Sequence, residues 1–194
     1  MANVNKPFGL RPVGNLSATG AQKQYGYQIE AGYGTAIYQG DLVVVYDGYI
    51  IKYDAATHAA PTGVFNGCQY NDPTRADKPT WKNYYPGNIT PNIGQIDCEV
   101  LDDPSQLFLI QAAGTISQAD IGKNADPTAA TTGSNITGVS AGTLGTPAKT
   151  AALTMKIVGL SNQAGNSLGQ YAVVVVKLNQ HQYGSTGVAA DGAP

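Results

Sequence analysis

Two short apolar runs flank Asp47-Gly48 in the stretch GDLVVVYDGYIIKYD, residues 40–54. Both runs are dominated by β-branched and aromatic residues, which are enriched in strands. Asp-Gly is a strong signal for a two-residue hairpin, because a type I′ turn requires φ > 0 at both central positions. The stretch therefore predicts a strand, a tight turn and a second strand.

Similar patterns recur along the chain. In QYGYQIE, residues 24–30, aromatic and apolar residues alternate with polar ones, which is typical of a half-buried strand. Further strands are predicted at 63–70, with bends at its glycines, at 93–100 and 106–112, paired as a hairpin around the turn 101–105, and at 153–160 and 170–178. The one helical signal is SQADIG, residues 117–122.

Together these segments amount to roughly eight to ten short strands, with turns every 8–12 residues and almost no helix. This pattern predicts an all-β fold, either a β-barrel or a β-sandwich, with long loops. Residues 1–24 have no periodicity and predict an extended N-terminal arm. Residues 25–183 form the predicted β-rich body, with 25–115 and 116–183 as candidate sub-parts, and 184–194 a predicted flexible tail. Phe8 and Leu10 are apolar residues that a free arm does not need, so we expect the arm to dock either on its own domain or on a neighbour.

Residues 71–95 are rich in turn-forming residues and predict a long loop. This segment contains the only tryptophan of the chain, Trp81, together with Tyr84 and Tyr85. Two interpretations are open: the rings pin the loop to the body, or they form an aromatic contact surface, since Trp and Tyr dominate interface energetics. Residues 123–150 consist mostly of small residues and predict a low-complexity loop or a flat strand pair.

Charge is scarce in this chain. Charged residues make up 12% of it, about half the usual share of ~25%, and the net charge is −2. The basic residues are scattered, so we expect no nucleic-acid partner. There is no secretory signal at the N-terminus and no apolar run long enough for a membrane helix, so no membrane association is predicted. A nearly neutral surface favours packing against other proteins.

Few residues point to chemistry. The motifs GxGxxG, GxxxxGK[ST] and GxSxG are all absent. We expect Cys68 and Cys98 to be reduced thiols, with a cross-strand disulfide as the alternative. We predict ordinary exposed or hydrogen-bonded roles for both histidines, His58 and His181. Four acidic residues lie close together in the sequence, namely Asp97, Glu99, Asp102 and Asp103. Such an acidic group is compatible with a metal site or an acid/base pair, but more often it forms a polar strand face that leads into a turn. The prediction is a protein without catalytic residues, metal or cofactor.

Several segments together resemble a family of virion structural proteins from tailed bacteriophages, the capsid decoration or cement proteins. They are ANVNKPFGLRPV (2–13), GDLVVVYDGYIIKYDA (40–55), PTGVFNGCQYND (61–72), KNYYPG (82–87), DDPSQLFLIQ (102–111), DIGKNADP (120–127), KIVGLSNQAGNSLG (156–169) and VVVKLNQHQY (174–183). The resemblance spans nearly the whole chain and concerns structural rather than catalytic motifs.

The resemblance implies a β-rich body, made in the bacterial cytoplasm, that sits on the outer capsid surface as a homotrimer. It would bridge neighbouring major capsid protein subunits. Phe8, Leu10, Trp81, Tyr84 and Tyr85 are the predicted partner contacts. The alternatives are a major shell or tail protein, a carbohydrate-binding β domain with Trp81 and the tyrosines as a stacking platform, or a hydrolase built on His181 and the acidic group. A shell protein is disfavoured because no long amphipathic helix is readable.

Overall fold

The computed structural model describes residues 3–17, 24–128 and 133–184, and this part of the chain is all-β, as predicted. The strands are β1 (Arg11–Asn15), β2 (Gln24–Ile29), β3 (Ile37–Tyr38), β4 (Leu42–Tyr46), β5 (Tyr49–Lys52), β6 (Gly63–Asp72), β7 (Lys78–Lys82), β8 (Tyr84–Tyr85), β9 (Ile96–Leu101), β10 (Gln106–Gln111), β11 (Thr115–Ile116), β12 (Asn124–Ala125), β13 (Met155–Leu160), β14 (Gly169–Gln170) and β15 (Val173–Leu178). Two 3-10 turns, Pro73–Arg75 and Gln118–Asp120, are the helical elements of this part.

Six strands form a curled antiparallel sheet in the order β2-β9-β6-β4-β5, with β7 paired to β6. The sheet bends so far that β2 and β5, at opposite ends of this order, approach each other. The predicted hairpin joins β4 to β5: Tyr46 lies opposite Tyr49, and Asp47 and Gly48 have φ of 47° and 85°. The sequence prediction is therefore confirmed here in both register and turn geometry.

Five strands form the second sheet in the order β1-β10-β15-β13-β12, with every pairing antiparallel. Its central strands, β10 and β15, are more than sixty residues apart in the sequence. Short pairs, β3 with β8 and β11 with β14, complete the strand pairings. The five-stranded sheet thus depends on long-range pairing, whereas the curled sheet contains a tight local hairpin.

Two hydrophobic cores follow from these sheets. The shared core lies between them and takes side chains from both, including Leu42, Val44, Val64, Leu101, Phe108, Ile110, Ile157, Val174 and Val176. The inner core is enclosed by the curled sheet and includes Ile29, Val43, Ile50, Phe65, Cys68, Tyr85, Ile96, Cys98 and Val100. Successive residues of β4 enter alternate cores, as the period of a strand requires.

The hairpin predicted from 93–100 and 106–112 is wrong. β9 pairs with β2 and β6 in the curled sheet, whereas β10 pairs with β1 and β15 in the other sheet. The turn residues between them do reverse the chain locally, because the Asp103 carboxylate accepts the Ser105 amide at 2.8 Å. However, Asn15 of β1 also donates to Asp103 at 2.6 Å, so the turn directs the chain towards the second sheet.

The extended N-terminal arm is not confirmed. Within the described residues 3–17, β1 pairs with β10, and Leu10 is 4% exposed in the shared core. The Gln111 side chain accepts the Lys6 amide at 2.9 Å and donates to the Val4 carbonyl at 2.8 Å. These residues therefore lie on the chain's own body. The predicted tail, 184–194, lies outside the described residues apart from Gly184.

The chain passes from the curled sheet to the five-stranded sheet between Leu101 and Gln106. The segment 71–95, predicted to be a long loop, contains β7 and β8, which pair with β6 and β3. The predicted helical turn is present as a single 3-10 turn, in which the Asp120 carboxylate accepts the Ser117 amide and hydroxyl at 2.8 and 2.6 Å.

Candidate interaction surfaces

The five predicted contact residues lie in different environments. Leu10 and Tyr85 are core residues, with exposed fractions of 4% and 0%. Tyr84 is half-buried and stacks on the Tyr38 ring, with 5.8 Å between the centroids. Phe8 is half-buried under the guanidinium of Arg11, 4.6 Å from its ring centroid. Trp81 is 56% exposed, so the residues that the sequence grouped together do not form one aromatic platform.

Trp81 is held by the strand that carries it. It lies on β7 opposite Gln69 of β6, and its ring covers Gly67, where an added Cβ would come within 2.7 Å of Trp81 Cζ2. Gly67 follows the bulge in β6, so the missing side chain leaves room for the indole to lie against the strand. The ring is thus placed on the outside of the curled sheet with much of its surface uncovered.

The register extends this surface across the sheet. Trp81 is opposite Gln69, and Gln69 is opposite Asp97, so the three side chains form a row over β7, β6 and β9. Glu99 lies two residues along β9 on the same face. We call these four residues the Trp81 face. Within the described part of the chain, neither carboxylate of this face forms an ion pair.

A second surface lies on the five-stranded sheet and was missed by the sequence reasoning. Alternate residues of β10 and β15 enter the shared core, so the intervening residues point to the opposite side of the sheet. These residues, which we call the β10–β15 face, are Leu107, Leu109, Val173 and Val175. They are half-buried and belong to neither core.

A sequence signal for this face existed in the uninterrupted apolar runs LFLI and VVVV. Strands that read as continuous hydrophobic runs are typically buried on both faces, whereas a strand with one wet face alternates. In the described structure the shared core covers one face of β10 and β15, and the N-terminal segment crosses the other face near Gln111. An apolar sheet face in this position indicates an interaction surface.

Two lysines border the β10–β15 face. Lys156 of β13 and Lys177 of β15 are directly opposite each other, and Lys177 is also opposite Leu107. Like charges in directly opposed positions destabilise a sheet pair unless an anion is nearby. Among the described residues neither lysine forms an ion pair, although Lys156 Nζ donates to the Gly122 carbonyl at 3.1 Å.

A groove of about 310 Å³ runs between the N-terminal segment and the curled sheet, and its lining includes Phe8, Arg11, Gln39, Asn66 and Val139. Side-chain amides connect along it: Asn66 Nδ2 donates to Gln24 at 2.9 Å, and Gln39 Nε2 donates to Asn66 Oδ1 at 3.0 Å. We call this surface the amide groove. It offers neutral donors and acceptors, with Arg11 as its one charged residue.

A larger cavity of about 380 Å³ lies where β4 and β5 meet residues 127–128 and 140–142. Asp41, which is 4% exposed, is 2.9 Å from Lys52 Nζ and also accepts the Tyr38 amide and the Ser140 hydroxyl. These partners satisfy the carboxylate within the protein. The arrangement therefore fixes three segments to one another.

The chemically reactive residues are not assembled into a site. His58 makes hydrogen bonds within its own turn, and His181 is buried, where desolvation holds its pKa below the usual 6.5. Burial raises the pKa of Cys68 to about 12, and Cys98, directly opposite in the register, is a second free buried thiol. No group of three metal-ligating side chains occurs in the described residues. A helix long and apolar enough to cross a membrane is likewise absent from that part.

Comparison with known proteins returned no matching family model, no matching curated protein and no matching solved structure.

Proposed function

We propose that this chain is a non-enzymatic capsid decoration protein of a tailed phage, which binds the outside of the head and bridges neighbouring major capsid protein subunits. The observation that carries the proposal is the amide groove, a polar surface with little charge beside Phe8, and the β10–β15 face is the surface left for further copies of the chain. The four apolar side chains of the β10–β15 face are on the side of the sheet that points away from the shared core, and they belong to neither hydrophobic core. A protein partner is the natural cover for such a face, and the motifs that resemble cement proteins suggest which partners to test.

The amide groove is the surface that we assign to the capsid. Its amides form hydrogen bonds without relying on net charge, so its contacts lose little strength as salt rises. Phe8, half-buried beneath Arg11, supplies an aromatic group at the same place. Several such contacts in one oligomer would hold several capsid subunits at once, and avidity would then exceed each single affinity.

The test measures binding of the purified protein to heads that lack it. We expect saturable binding that changes little between low and high salt, and decorated heads that withstand heating better than bare heads. Phe8→Ala should weaken binding by about tenfold or more, because a central aromatic contact is typically worth over 1.4 kcal/mol. Tyr49→Ala is the matched control, since Tyr49 is an exposed aromatic at the β4–β5 hairpin, outside the groove.

Deleting residues 2–20 would be a poor test, because Leu10 and β1 belong to the fold. Thermal unfolding of each variant must therefore accompany the binding measurement. Absence of saturable binding to heads by the folded wild type would reject the proposal. Binding to tails alone, or a copy number equal to that of the shell subunits, would favour the alternative virion roles.

A further inference from the structure

From the charges and the apolar residues of the two sheets, we infer that the β10–β15 face of one copy packs against the Trp81 face of a second copy, which joins copies head to tail. The inference deepens the self-association included in the proposed function. It concerns copies of this chain alone, so it can be measured without capsids.

Each of the two faces carries apolar groups that the described structure covers only in part. Leu107, Leu109, Val173 and Val175 lie outside both cores, and Trp81 is 56% exposed. Large aromatic residues are the commonest anchors of protein interfaces, and an apolar sheet face provides the complementary surface. Packing the indole on this face would cover the exposed part of the ring together with the part of the β10–β15 face that is still exposed in one copy.

The charges of the two faces are opposite. Lys156 and Lys177 border the β10–β15 face, whereas Asp97 and Glu99 belong to the Trp81 face. Within the described residues all four lack an ion-pair partner in their own chain. The two opposed lysines repel each other in the single copy, so carboxylates from a neighbour would relieve a cost that the isolated fold carries.

The distance between apolar and charged groups is also similar on the two faces. The row Leu107, Lys177, Lys156 crosses three neighbouring strands, and the row Trp81, Gln69, Asp97 does the same. Since neighbouring strands are about 4.8 Å apart, each row separates its apolar end from its charged end by roughly 10 Å. One placement can therefore set the indole against Leu107 and a carboxylate against Lys156 simultaneously.

Contacts between two different faces are heterologous. Each copy then offers one unused face of each kind to the next copy, and the chain of contacts closes into a ring when the rotation between copies divides a full turn. This arrangement differs from a two-fold dimer, in which the same face would be used twice. The difference can be tested with charge reversals.

The experiment measures association by analytical ultracentrifugation without capsids. We expect Lys156→Glu with Lys177→Glu to weaken self-association by more than about tenfold, and Asp97→Lys with Glu99→Lys to do the same, because each places like charges together. The chain that carries all four reversals should associate again, since its charges are once more complementary. Equal mixtures of the two double variants should also associate.

Lys78→Glu with Lys149→Glu is the matched control, because it reverses two exposed lysines that lie on neither face. Thermal unfolding shows that each variant is folded. The inference is overturned if the wild type is monomeric, if only one pair of reversals has an effect, or if the folded quadruple variant stays dissociated. Capsid binding is measured separately, so a monomeric protein that still decorates heads would remove this inference alone.

Discussion

The curled sheet and the five-stranded sheet bury their apolar residues in different ways. The curled sheet encloses an inner core of its own, and its exposed apolar residues are the aromatic side chains of Tyr25, Tyr49 and Trp81. The five-stranded sheet buries one face in the shared core and keeps apolar residues on the other. The first sheet is thus complete within one chain, whereas the second has the composition of a sheet that is covered on both sides. Under the proposed function, the inner core serves folding and the β10–β15 face serves association.

Neighbouring residues of β10 provide the strongest test of this comparison. Phe108 is fully buried in the shared core, and Leu109 belongs to the β10–β15 face. We expect Phe108→Ala to lower the free energy of unfolding by about 4 kcal/mol, because it removes a large ring and leaves a cavity. Leu109→Ala should lower it by less, about 1–2 kcal/mol in the monomer, because this side chain is only half-buried. Urea unfolding at a concentration that keeps the protein monomeric measures both.

The same two variants should differ in association, because Phe108 points into the shared core and is not part of the proposed contact. Leu109→Ala should weaken self-association, because its side chain lies in the proposed contact. If Leu109→Ala costs as much unfolding free energy as Phe108→Ala, the outer side of the sheet is part of the monomer's own core, and the comparison fails.

The buried pair Asp41–Lys52 gives the next largest effect. Asp41 ties the start of β4 to Lys52 at the end of β5 and to Ser140. Asp41→Asn leaves the Lys52 ammonium without its carboxylate in a largely buried position, so we expect a loss of about 3 kcal/mol in the free energy of unfolding. Adding Lys52→Met should recover part of the loss, because the uncompensated charge is then gone. A double variant less stable than the single variant would show that the charge is not the cause.

The sequence allowed prediction of the structures that local chemistry determines. The Asp47-Gly48 turn was correct because turn dihedrals are a property of a few neighbouring residues. The strand β2 is present and Tyr27 and Ile29 reach the inner core, but the predicted alternation fails at Tyr25, which is 64% exposed. The pairing of β9 with β10 was wrong, because a turn-forming sequence specifies that the chain reverses, not which sheet it enters. That choice depends on Leu101 and Asp103 meeting residues far away in the chain.

The candidate surfaces were harder to predict from the sequence for the same reason. Trp81 was identified as an exposed aromatic candidate, but its neighbours Asp97 and Glu99 come from another strand, and their relation to it depends on register. Leu10 and Tyr85 were assigned to contacts although both are core residues, because an apolar residue in an irregular segment gives no sign of where it docks.

Gly48 provides a smaller test, confined to the hairpin of the curled sheet. Its φ of 85° is unfavourable for any residue with a Cβ, while an added Cβ would meet no atom within 4 Å. Gly48→Ala should therefore cost about 1 kcal/mol of unfolding free energy from backbone conformation alone. Gly26→Ala in β2 is the control, since it also has open space but no positive φ, and should be neutral or slightly stabilising. Equal losses at the two positions would contradict this account of the turn.

The smallest effect on the free energy of unfolding is expected at His181. This residue lies where the chain leaves β15 and returns to the curled sheet. Burial lowers the pKa of this histidine below 6.5, and the nearby carboxylates of Asp102 and Asp103 partly oppose that shift, while the Lys177 ammonium adds to it. The unfolded chain then binds a proton more readily than the folded chain, so stability is fully present above pH 6.5 and falls as the pH drops below it. His181→Gln removes this titration, and the unfolding free energy of the variant should depend less on pH between 6.5 and 5. If the unfolding free energies of the two proteins change equally with pH in that interval, protonation of the buried imidazole does not destabilise the folded protein.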